Sequence, residues 1–254
     1  MRDSLINRRS LLKVGSASVI GSAMATGLVD AEDHNNTSNE TKIEDWNDLD
    51  NIRTDLNSDY VLVADIGENT TGYAEHVVDR ENGWNPIGDD ENEFSGSLDG
   101  NGYVISDLVV DQAADHIGLF GVIGRGNISN IVLENVTITG GETVGGLVGK
   151  NDFESKVSGS FVSGTVTGDR QVGGLVGFNN GTVTNSSADV NVTAGDEGAV
   201  GGLVGSTASG SKVIKSSAEG DLSGKRLVGG LVGLSTGAEV SESTAEVDVS
   251  GSEI

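Results

Sequence analysis

Cysteine is absent from this chain, and several other residue types are scarce. There is one proline, and aromatic residues make up 4% of the 254 residues. The lack of cysteine excludes disulfide bonds and a lipid anchor on an acylated cysteine. With so few aromatic rings, a core must be built mainly from valine, leucine, isoleucine and glycine.

Basic residues are scarce as well. The chain has 15 lysines and arginines against 39 acidic residues, for a net charge of −24. This charge repels nucleic acids and anionic membrane surfaces, so neither is an expected partner. Acidic residues spread throughout the chain favour a halophilic protein, and an ordinary acidic secreted protein is the alternative.

A hexapeptide, VGGLVG, recurs along the second half of the chain. Its copies are Val144–Gly149, Val172–Gly177, Val200–Gly205 and Val228–Gly233, and His116–Gly121 is a weaker copy. The central leucines fall every 28 residues, at Leu119, Leu147, Leu175, Leu203 and Leu231. A constant period of this length is typical of a solenoid.

The segments between hexapeptides alternate apolar or glycine residues with polar ones, which predicts strands with one buried face. Val157, Val183, Val213 and Val240 serve as equivalent origins in successive coils. Stacked coils would make these strands parallel neighbours, so the fold class is all-β, a parallel β-helix. The glycines are interpreted as residues that permit tight corners and the close approach of neighbouring coils. A phosphate-binding loop is excluded because no helical pattern follows them.

The stretch from Asn180 to Ala188, followed by VGGLVG, resembles the GLUG repeat family, and the resemblance covers residues 104–254. The family occurs in arrays on microbial extracellular proteins. The resemblance implies a right-handed, pectin-lyase-like β-helix, and a structural, adhesive or glycan-binding role at the cell surface.

Residues 1–31 are predicted to be an export signal. Arg8 and Arg9 precede apolar residues, as in the twin-arginine motif that the segment resembles. The apolar stretch 14–29 holds 16 residues, fewer than the roughly 20 that span a bilayer. The mature chain is therefore predicted to be extracellular or at the cell surface, without a transmembrane anchor.

The remaining boundaries follow from composition. Residues 32–44 are predicted to be a polar, disordered linker. Residues 45–103 are expected to form an N-terminal cap, with Asp45 capping a short helix and a strand at 60–66. The β-helix repeats are assigned to residues 104–254, and the last coil, with its acidic residues, is expected to be open and the protein a monomer.

No catalytic arrangement is apparent in the sequence, and no catalytic, cofactor-binding or metal-binding residue is assigned. The histidines, His34, His76 and His116, form no zinc motif. Residues 233–237 match G-x-S-x-G around Ser235, but no helical pattern follows, as a nucleophile elbow requires. The acidic loop 88–93 lacks the spaced D-x-D-x-D-G order of acidic residues in an EF-hand calcium loop. It is therefore interpreted as a loop exposed to solvent.

Two further features bear on binding. Trp46 and Trp84 could stack on sugar rings, but the preferred interpretation is that they pack inside the N-terminal cap. The basic residues of the repeats form no acidic–basic cluster repeated over coils, which argues against the alternative function, polysaccharide cleavage. A fragment of a larger adhesin is the other alternative. The expected function is thus non-catalytic, with surface polysaccharide or envelope components as partners.

Stacking the strands also predicts acidic ladders on the outer face. Asp189, Glu219 and Glu246 align in one row, and Asp221 and Asp248 in another. Their repulsion predicts a protein stabilised by salt, and a divalent-ion site is the alternative.

Sequons for N-glycosylation are numerous. They occur at Asn35, Asn36, Asn39, Asn69, Asn127, Asn135, Asn180, Asn185 and Asn191.

Overall fold

The computed structural model describes residues 40–251, so the export signal, the linker up to residue 39 and His34 lie outside the described residues. Helical structure in this part of the chain is brief. It consists of helix α1 (Trp46–Asn51), a 3₁₀ turn (Ile52–Thr54) and a π-helical turn (Ala74–Val78). Every other regular element described is a β-strand.

The strands, numbered along the chain, form four parallel sheets. Sheet A contains, in spatial order, β1 (Thr41–Ile43), β2 (Asp59–Leu62), β3 (Ser97–Asp99), β7 (Asn127–Ser129), β11 (Lys156–Ser158), β15 (Thr182–Thr184), β19 (Lys212–Ile214) and β23 (Glu239–Ser241). Sheet B contains β24 (Thr244–Ser250), β20 (Ser217–Ser223), β16 (Ser187–Ala194), β12 (Phe161–Gly168), β8 (Val132–Thr139) and β4 (Val104–Ser106), with β5 (Val109–Asp111) also beside β8. Sheet C contains β22 (Val232–Ser235), β18 (Val204–Thr207), β14 (Val176–Asn179), β10 (Val148–Asn151) and β6 (Phe120–Ile123). Sheet D contains β21 (Val228–Gly229), β17 (Ala199–Gly201), β13 (Gln171–Gly173) and β9 (Thr143–Gly145).

Each coil visits sheets A, B, D and C in turn, and the next coil stacks on it in the same order. The predicted origins are in register, since Val157 pairs with Val183, Val183 with Val213 and Val213 with Val240. The parallel β-helix with one short N-terminal helix is therefore confirmed. The buried residues, such as Leu147, Val162 and Leu175, form one continuous column inside the coils.

The hexapeptide places two short strands back to back. In each copy the first Val-Gly lies in sheet D and the second Val-Gly in sheet C. A Cβ added at Gly201 would overlap the carbonyl oxygen of Val204. The glycines thus permit the two sheets to approach each other closely, which confirms their structural interpretation.

The corner between sheets A and B is held by a column of serines. Ser160, Ser186, Ser216 and Ser243 follow residues with positive φ at Gly159, Asn185, Lys215 and Glu242. The backbone N–H of Ser160 donates to Oγ of Ser186 at 3.2 Å, and that of Ser186 donates to Oγ of Ser216 at 3.3 Å. These bonds between coils help offset the strain of the left-handed corner, where non-glycine residues are uncommon.

The N-terminal stretch is joined to the helix more closely than a separate cap would be. Strands β1, β2 and β3 continue sheet A, so the boundary expected at residue 104 does not interrupt that sheet. The strand expected at 60–66 ends at Leu62, and Ile66 forms an isolated bridge to Ile105. Asp45 caps α1 as expected, because its Oδ1 accepts the N–H groups of Asn47 and Asp48.

The last described coil, formed by β21–β24, has a neighbouring coil on one side within residues 40–251. Val240 and Val249 are 45% and 58% exposed, whereas their partners one coil earlier, Val213 and Leu222, are fully buried. The monomeric state stays a prediction.

Candidate functional site

Sheet C displays one row of residues toward the outside of the coils. Register aligns Val122, Lys150, Phe178, Ser206 and Leu234 on successive strands. Neighbouring residues in such a row lie about 4.8 Å apart. The next residue of most of these strands turns inward, as Asn151 and Asn179 do. The sequence pattern therefore fixes which side chain of each coil faces outward here.

Lys150 is the centre of a polar group, the Lys150 cluster, comprising Asp90, His116, Lys150, Asp152 and Asn180. Nζ of Lys150 lies 3.0 Å from Oδ1 of Asp90 and 3.0 Å from Oδ2 of Asp152. Nε2 of His116 is 3.0 Å from the other oxygen of Asp90, and Nδ2 of Asn180 donates to Oδ1 of Asp152 at 2.9 Å. Side chains from separate coils are thus joined on one face.

Asp90 reaches this face because the acidic loop 88–93 is folded over the edge of sheet C. Ile87 N donates to Leu119 O at 3.0 Å, and Phe94 N donates to Val122 O at 3.0 Å. Inside the loop, Oδ1 of Asp89 accepts the N–H groups of Glu91 and Asn92. The two aspartates therefore already have protein partners, and the loop is more ordered than the solvated loop expected from sequence.

The charged groups of the cluster stabilise one another's charged forms. A hydrogen bond from Lys150 lowers the pKa of Asp90. Burial raises the pKa of Asp152, but hydrogen bonds from Asn180 and Lys150 outweigh burial and lower it overall. Burial likewise lowers the pKa of Lys150, and its bonds to Asp152 and Asp90 outweigh that effect and raise it. All three groups are thus held in their charged forms at neutral pH.

Two aromatic residues are neighbours of the cluster along the chain or across the sheet. Phe153 is 63% exposed, and its N–H donates to Oδ1 of Asp152 at 2.7 Å. Phe178 is partly exposed and lies on the strand next to Lys150. We call Phe153, Phe178 and the Lys150 cluster the aromatic–polar surface. Exposed rings can pack on the C–H faces of sugars, while the carboxylate, amide and ammonium groups can bond to hydroxyls.

The sequence did not predict this surface, although it contained a signal. The sequence suggested Trp46 and Trp84, rather than the two phenylalanines, as residues that could stack on sugars. Both tryptophans are fully buried, and their ring centroids lie 5.5 Å apart. Their predicted packing role is therefore confirmed. The cluster joins residues of different coils, such as Asn180 and Asp152, which are 28 residues apart. A search for polar pairs at the repeat spacing would have found that contact.

The basic residues of the repeats form separate ion pairs on the surface. Exposed ion pairs link neighbouring coils at Arg125–Glu154, Arg170–Glu142, Lys212–Glu239, Lys215–Glu242, Lys225–Asp196 and Arg226–Glu197. The two residues of each pair are nearly one repeat apart in sequence. Being exposed, each contributes little to stability.

The residues weighed for catalysis do not converge among the described ones. His76 bonds through Nε2 to Asn47 Oδ1 at 2.9 Å, in the N-terminal region, while His116 contacts Asp90. Ser235 lies in β22, where its Oγ accepts from Thr207 Oγ1 at 3.2 Å, and a strand follows it. Within residues 40–251, no three His, Asp or Glu side chains are grouped as metal ligands.

We expect the Lys150 cluster to weaken in acid. Because the pKa values of Asp90 and Asp152 are lowered on folding, their contribution is present above about pH 4 and is lost as pH falls through the lowered values. Lys150→Met should therefore destabilise the protein by about 1 kcal/mol at pH 7, and by less near pH 2. Thermal melts from pH 7 to pH 2 measure this.

The matched control for that experiment is Lys156→Met, because Lys156 is exposed and forms no ion pair with any of residues 40–251. The difference in melting temperature between this variant and the wild type should not change over the same pH range. A constant difference for Lys150→Met as well would show that the cluster does not contribute through its charges.

Comparisons with known proteins agree with this geometry. The GLUG motif matches residues 140–167, 168–193 and 224–250. The chain contains GLUG motif repeats. The matches omit residues 194–223, but β17–β20 stack in register there as in the other coils.

Two relatives share the repeat region. Halomucin of Haloquadratum walsbyi is 38% identical over 115 residues, which cover 43% of this chain. A predicted Gly-rich membrane protein of Evansella cellulosilytica is 40% identical over 110 residues, which cover 41% of this chain. The matched parts span 1% and 12% of the relatives' own lengths.

Two solved structures share the fold. A predicted immunoglobulin A1 protease from Bacteroides ovatus superposes with a TM-score of 0.59 at 17% identity, covering 83% of this chain and 77% of that one. An IgA1 protease superposes with a TM-score of 0.55 at 19% identity, covering 84% of this chain and 20% of that one. At these identities the likeness concerns the fold alone. No helix among residues 40–251 is long and apolar enough to cross a membrane.

Proposed function

We propose that this protein is an exported, non-catalytic surface protein whose β-helix binds glycans through the aromatic–polar surface. The observation that carries the proposal is Phe153, an aromatic residue 63% exposed beside an ordered set of hydrogen-bonding groups. An exposed aromatic ring offers a flat apolar face on which a sugar ring can pack.

The charge state of the cluster favours binding over cleavage. A carboxyl group that protonates a glycosidic oxygen needs a raised pKa, so that it carries a proton at neutral pH. A hydrogen bond from Lys150 lowers the pKa of Asp90, and hydrogen bonds from Asn180 and Lys150 lower the pKa of Asp152 despite its burial. Both carboxylates are suited to accept hydrogen bonds from sugar hydroxyls.

The test is retention and cleavage on a panel of immobilised polysaccharides. Wild-type protein should be retained by at least one polysaccharide without shortening it. Phe153→Ala combined with Phe178→Ala should weaken retention by about tenfold or more, since stacked aromatic contacts of this kind contribute one to a few kcal/mol. Release of reducing ends by the wild type would contradict the non-catalytic role.

Leu227→Ala is the matched control for the phenylalanine variants. Leu227 is 47% exposed and lies before sheet D, outside the aromatic–polar surface. Its replacement should leave retention unchanged. Equal losses in both variants would place the binding surface elsewhere.

Surface location and a saline habitat are part of the same proposal. They are supported by the net charge of −24 and by the similarity of the repeats to Halomucin and to a Gly-rich membrane protein. Structural or adhesive use of the coils is compatible with glycan binding, because a stack of coils offers the same face repeatedly.

The export route can be tested separately. Arg8 and Arg9 resemble a twin-arginine signal, so changing both to Lys should retain the precursor inside the cell. Comparing cell and medium fractions by immunoblot measures this, with Arg2→Lys as the control. Unchanged secretion of the double variant would contradict the route without affecting the glycan-binding proposal.

A further inference from the structure

The described sequons differ in what their asparagine side chains do. Nδ2 of Asn135 donates to Oδ1 of Asp107 at 2.6 Å, and Nδ2 of Asn180 donates to Oδ1 of Asp152 at 2.9 Å. Both bonds link one coil to the preceding one. In each case the nitrogen that would carry a glycan is already bonded to a carboxylate.

Asn127 and Asn191 are arranged differently. Both side chains are exposed, on β7 of sheet A and β16 of sheet B, and neither amide nitrogen donates a hydrogen bond within the described residues. Oδ1 of Asn191 accepts the N–H of Asp221 at 3.4 Å, which leaves its nitrogen free.

The backbone of these two sequons is extended. In an extended strand, residues two apart share a face. Asn127 therefore stands beside Ser129, and Asn191 beside Thr193, with the sequon hydroxyl on the same outer side. Asn135 has a φ of 56°, so the backbone is left-handed rather than extended at that asparagine. Nδ2 of Asn69 donates to its chain neighbour Glu68, and Nδ2 of Asn185 donates to Thr184, so neither bond links two coils.

We propose that Asn127 and Asn191 are N-glycosylation sites of the folded protein, and that Asn135 and Asn180 are closed to modification. The reaction needs a lipid-linked sugar phosphate as donor and a transferase. The amide nitrogen attacks the anomeric carbon, a C–N bond forms and the bond from carbon to phosphate oxygen breaks. The lipid phosphate leaves, and the amide proton passes to a base on the transferase.

The proposal does not depend on glycan binding by the aromatic–polar surface, of which Lys150 and Phe178 lie on sheet C. Glycans at Asn127 and Asn191 would extend from sheets A and B. They would also hydrate the long faces of the coils, where the acidic residues already favour water.

The experiment compares each sequon in the folded full chain with the same sequon in a short synthetic peptide. A purified oligosaccharyltransferase and a lipid-linked oligosaccharide modify both, and mass spectrometry gives the occupancy of each asparagine. Dividing the occupancy in the chain by that in the peptide removes intrinsic differences between sequons. The ratio for Asn127 and Asn191 should exceed that for Asn135 and Asn180 by about tenfold or more, because a hydrogen bond to a carboxylate must first break at the closed sites.

Asp107→Gly provides a matched variant. It removes the carboxylate that bonds Asn135, and glycine accepts the φ of 61° found at position 107. The ratio for Asn135 should then rise several-fold, while that for Asn127 stays constant. Ratios that are equal at all four sites, or highest at Asn135 and Asn180, would overturn the proposal. So would unmodified Asn127 and Asn191 in a chain whose corresponding peptides are modified. This main comparison uses wild-type protein and does not require the variant to fold.

Discussion

The melting temperature of this protein is expected to rise by on the order of 10 °C between about 0.1 M and molar salt. The structure confirms the alignment on which this rests. Asp189 pairs with Glu219, and Glu219 with Glu246, in successive strands of sheet B. All three side chains are exposed on the outer face.

The size of the effect follows from spacing and screening. Like charges about 5 Å apart in water repel by about 1 kcal/mol, and the ladders contain several such contacts. The screening length falls from about 10 Å at 0.1 M to about 3 Å at 1 M, which is below the ladder spacing. Salt also weakens the exposed ion pairs between coils. Acidic residues outnumber basic ones by 39 to 15, so relief of repulsion should dominate.

Matched variants can distinguish the effect of the ladder on the salt dependence of melting from the effect of net charge. Asp189→Asn with Glu219→Gln and Glu246→Gln removes three stacked charges. Glu68→Gln with Glu75→Gln and Glu91→Gln removes three exposed charges from loops and the π-helical turn. The first set should flatten the salt dependence of melting more than the second. Equal flattening would show that only net charge matters, and saturation at millimolar calcium would indicate a divalent-ion site.

Replacing Asn179 with Ala is expected to destabilise the protein by about 3 kcal/mol, because it unpairs polar groups in the core. Asn151 and Asn179 are fully buried, and Nδ2 of Asn151 donates to Oδ1 of Asn179 at 2.7 Å. Nδ2 of Asn179 donates in turn to the carbonyl oxygen of Lys212 at 3.2 Å. Removing the amide leaves two buried groups without these bonds, as well as a cavity. Denaturant unfolding would measure the loss.

A double-mutant cycle tests whether the bond itself is responsible. The equivalent inward position one coil earlier is Ile123, so the coils accommodate a large aliphatic side chain there. Asn151→Ile together with Asn179→Ile should destabilise less than the sum of the two single changes, because both partners are removed at once. Asn191→Ala, at an exposed position, is the control. Additive single effects, or a loss below about 0.5 kcal/mol for Asn179→Ala, would contradict this account.

The repeat itself determined most of the fold. A 28-residue step without drift, with alternating residues such as Val162 and Val166, permits one coil per repeat and parallel strands. It also determined the register, since shifting Val183 by one residue would turn every apolar side chain outward. The acidic ladders followed from that register. The cap helix was predictable because Asp45 and the apolar residues Trp46, Leu49 and Ile52 are local signals.

The tertiary structure alone decided what lies between coils and over their edges. Asp90 reaches Lys150 across 60 residues because loop 88–93 folds onto sheet C, and no periodic pattern records that path. The left-handed corners at Lys215 and Glu242 could not be inferred either, since such residues rarely adopt positive φ without support from neighbouring coils. Whether Asn135 or Asn191 has a free amide is likewise set by the coil beside it. A repeat determines its own path through local and periodic signals, whereas contacts among its non-repeating residues depend on how the coils are stacked.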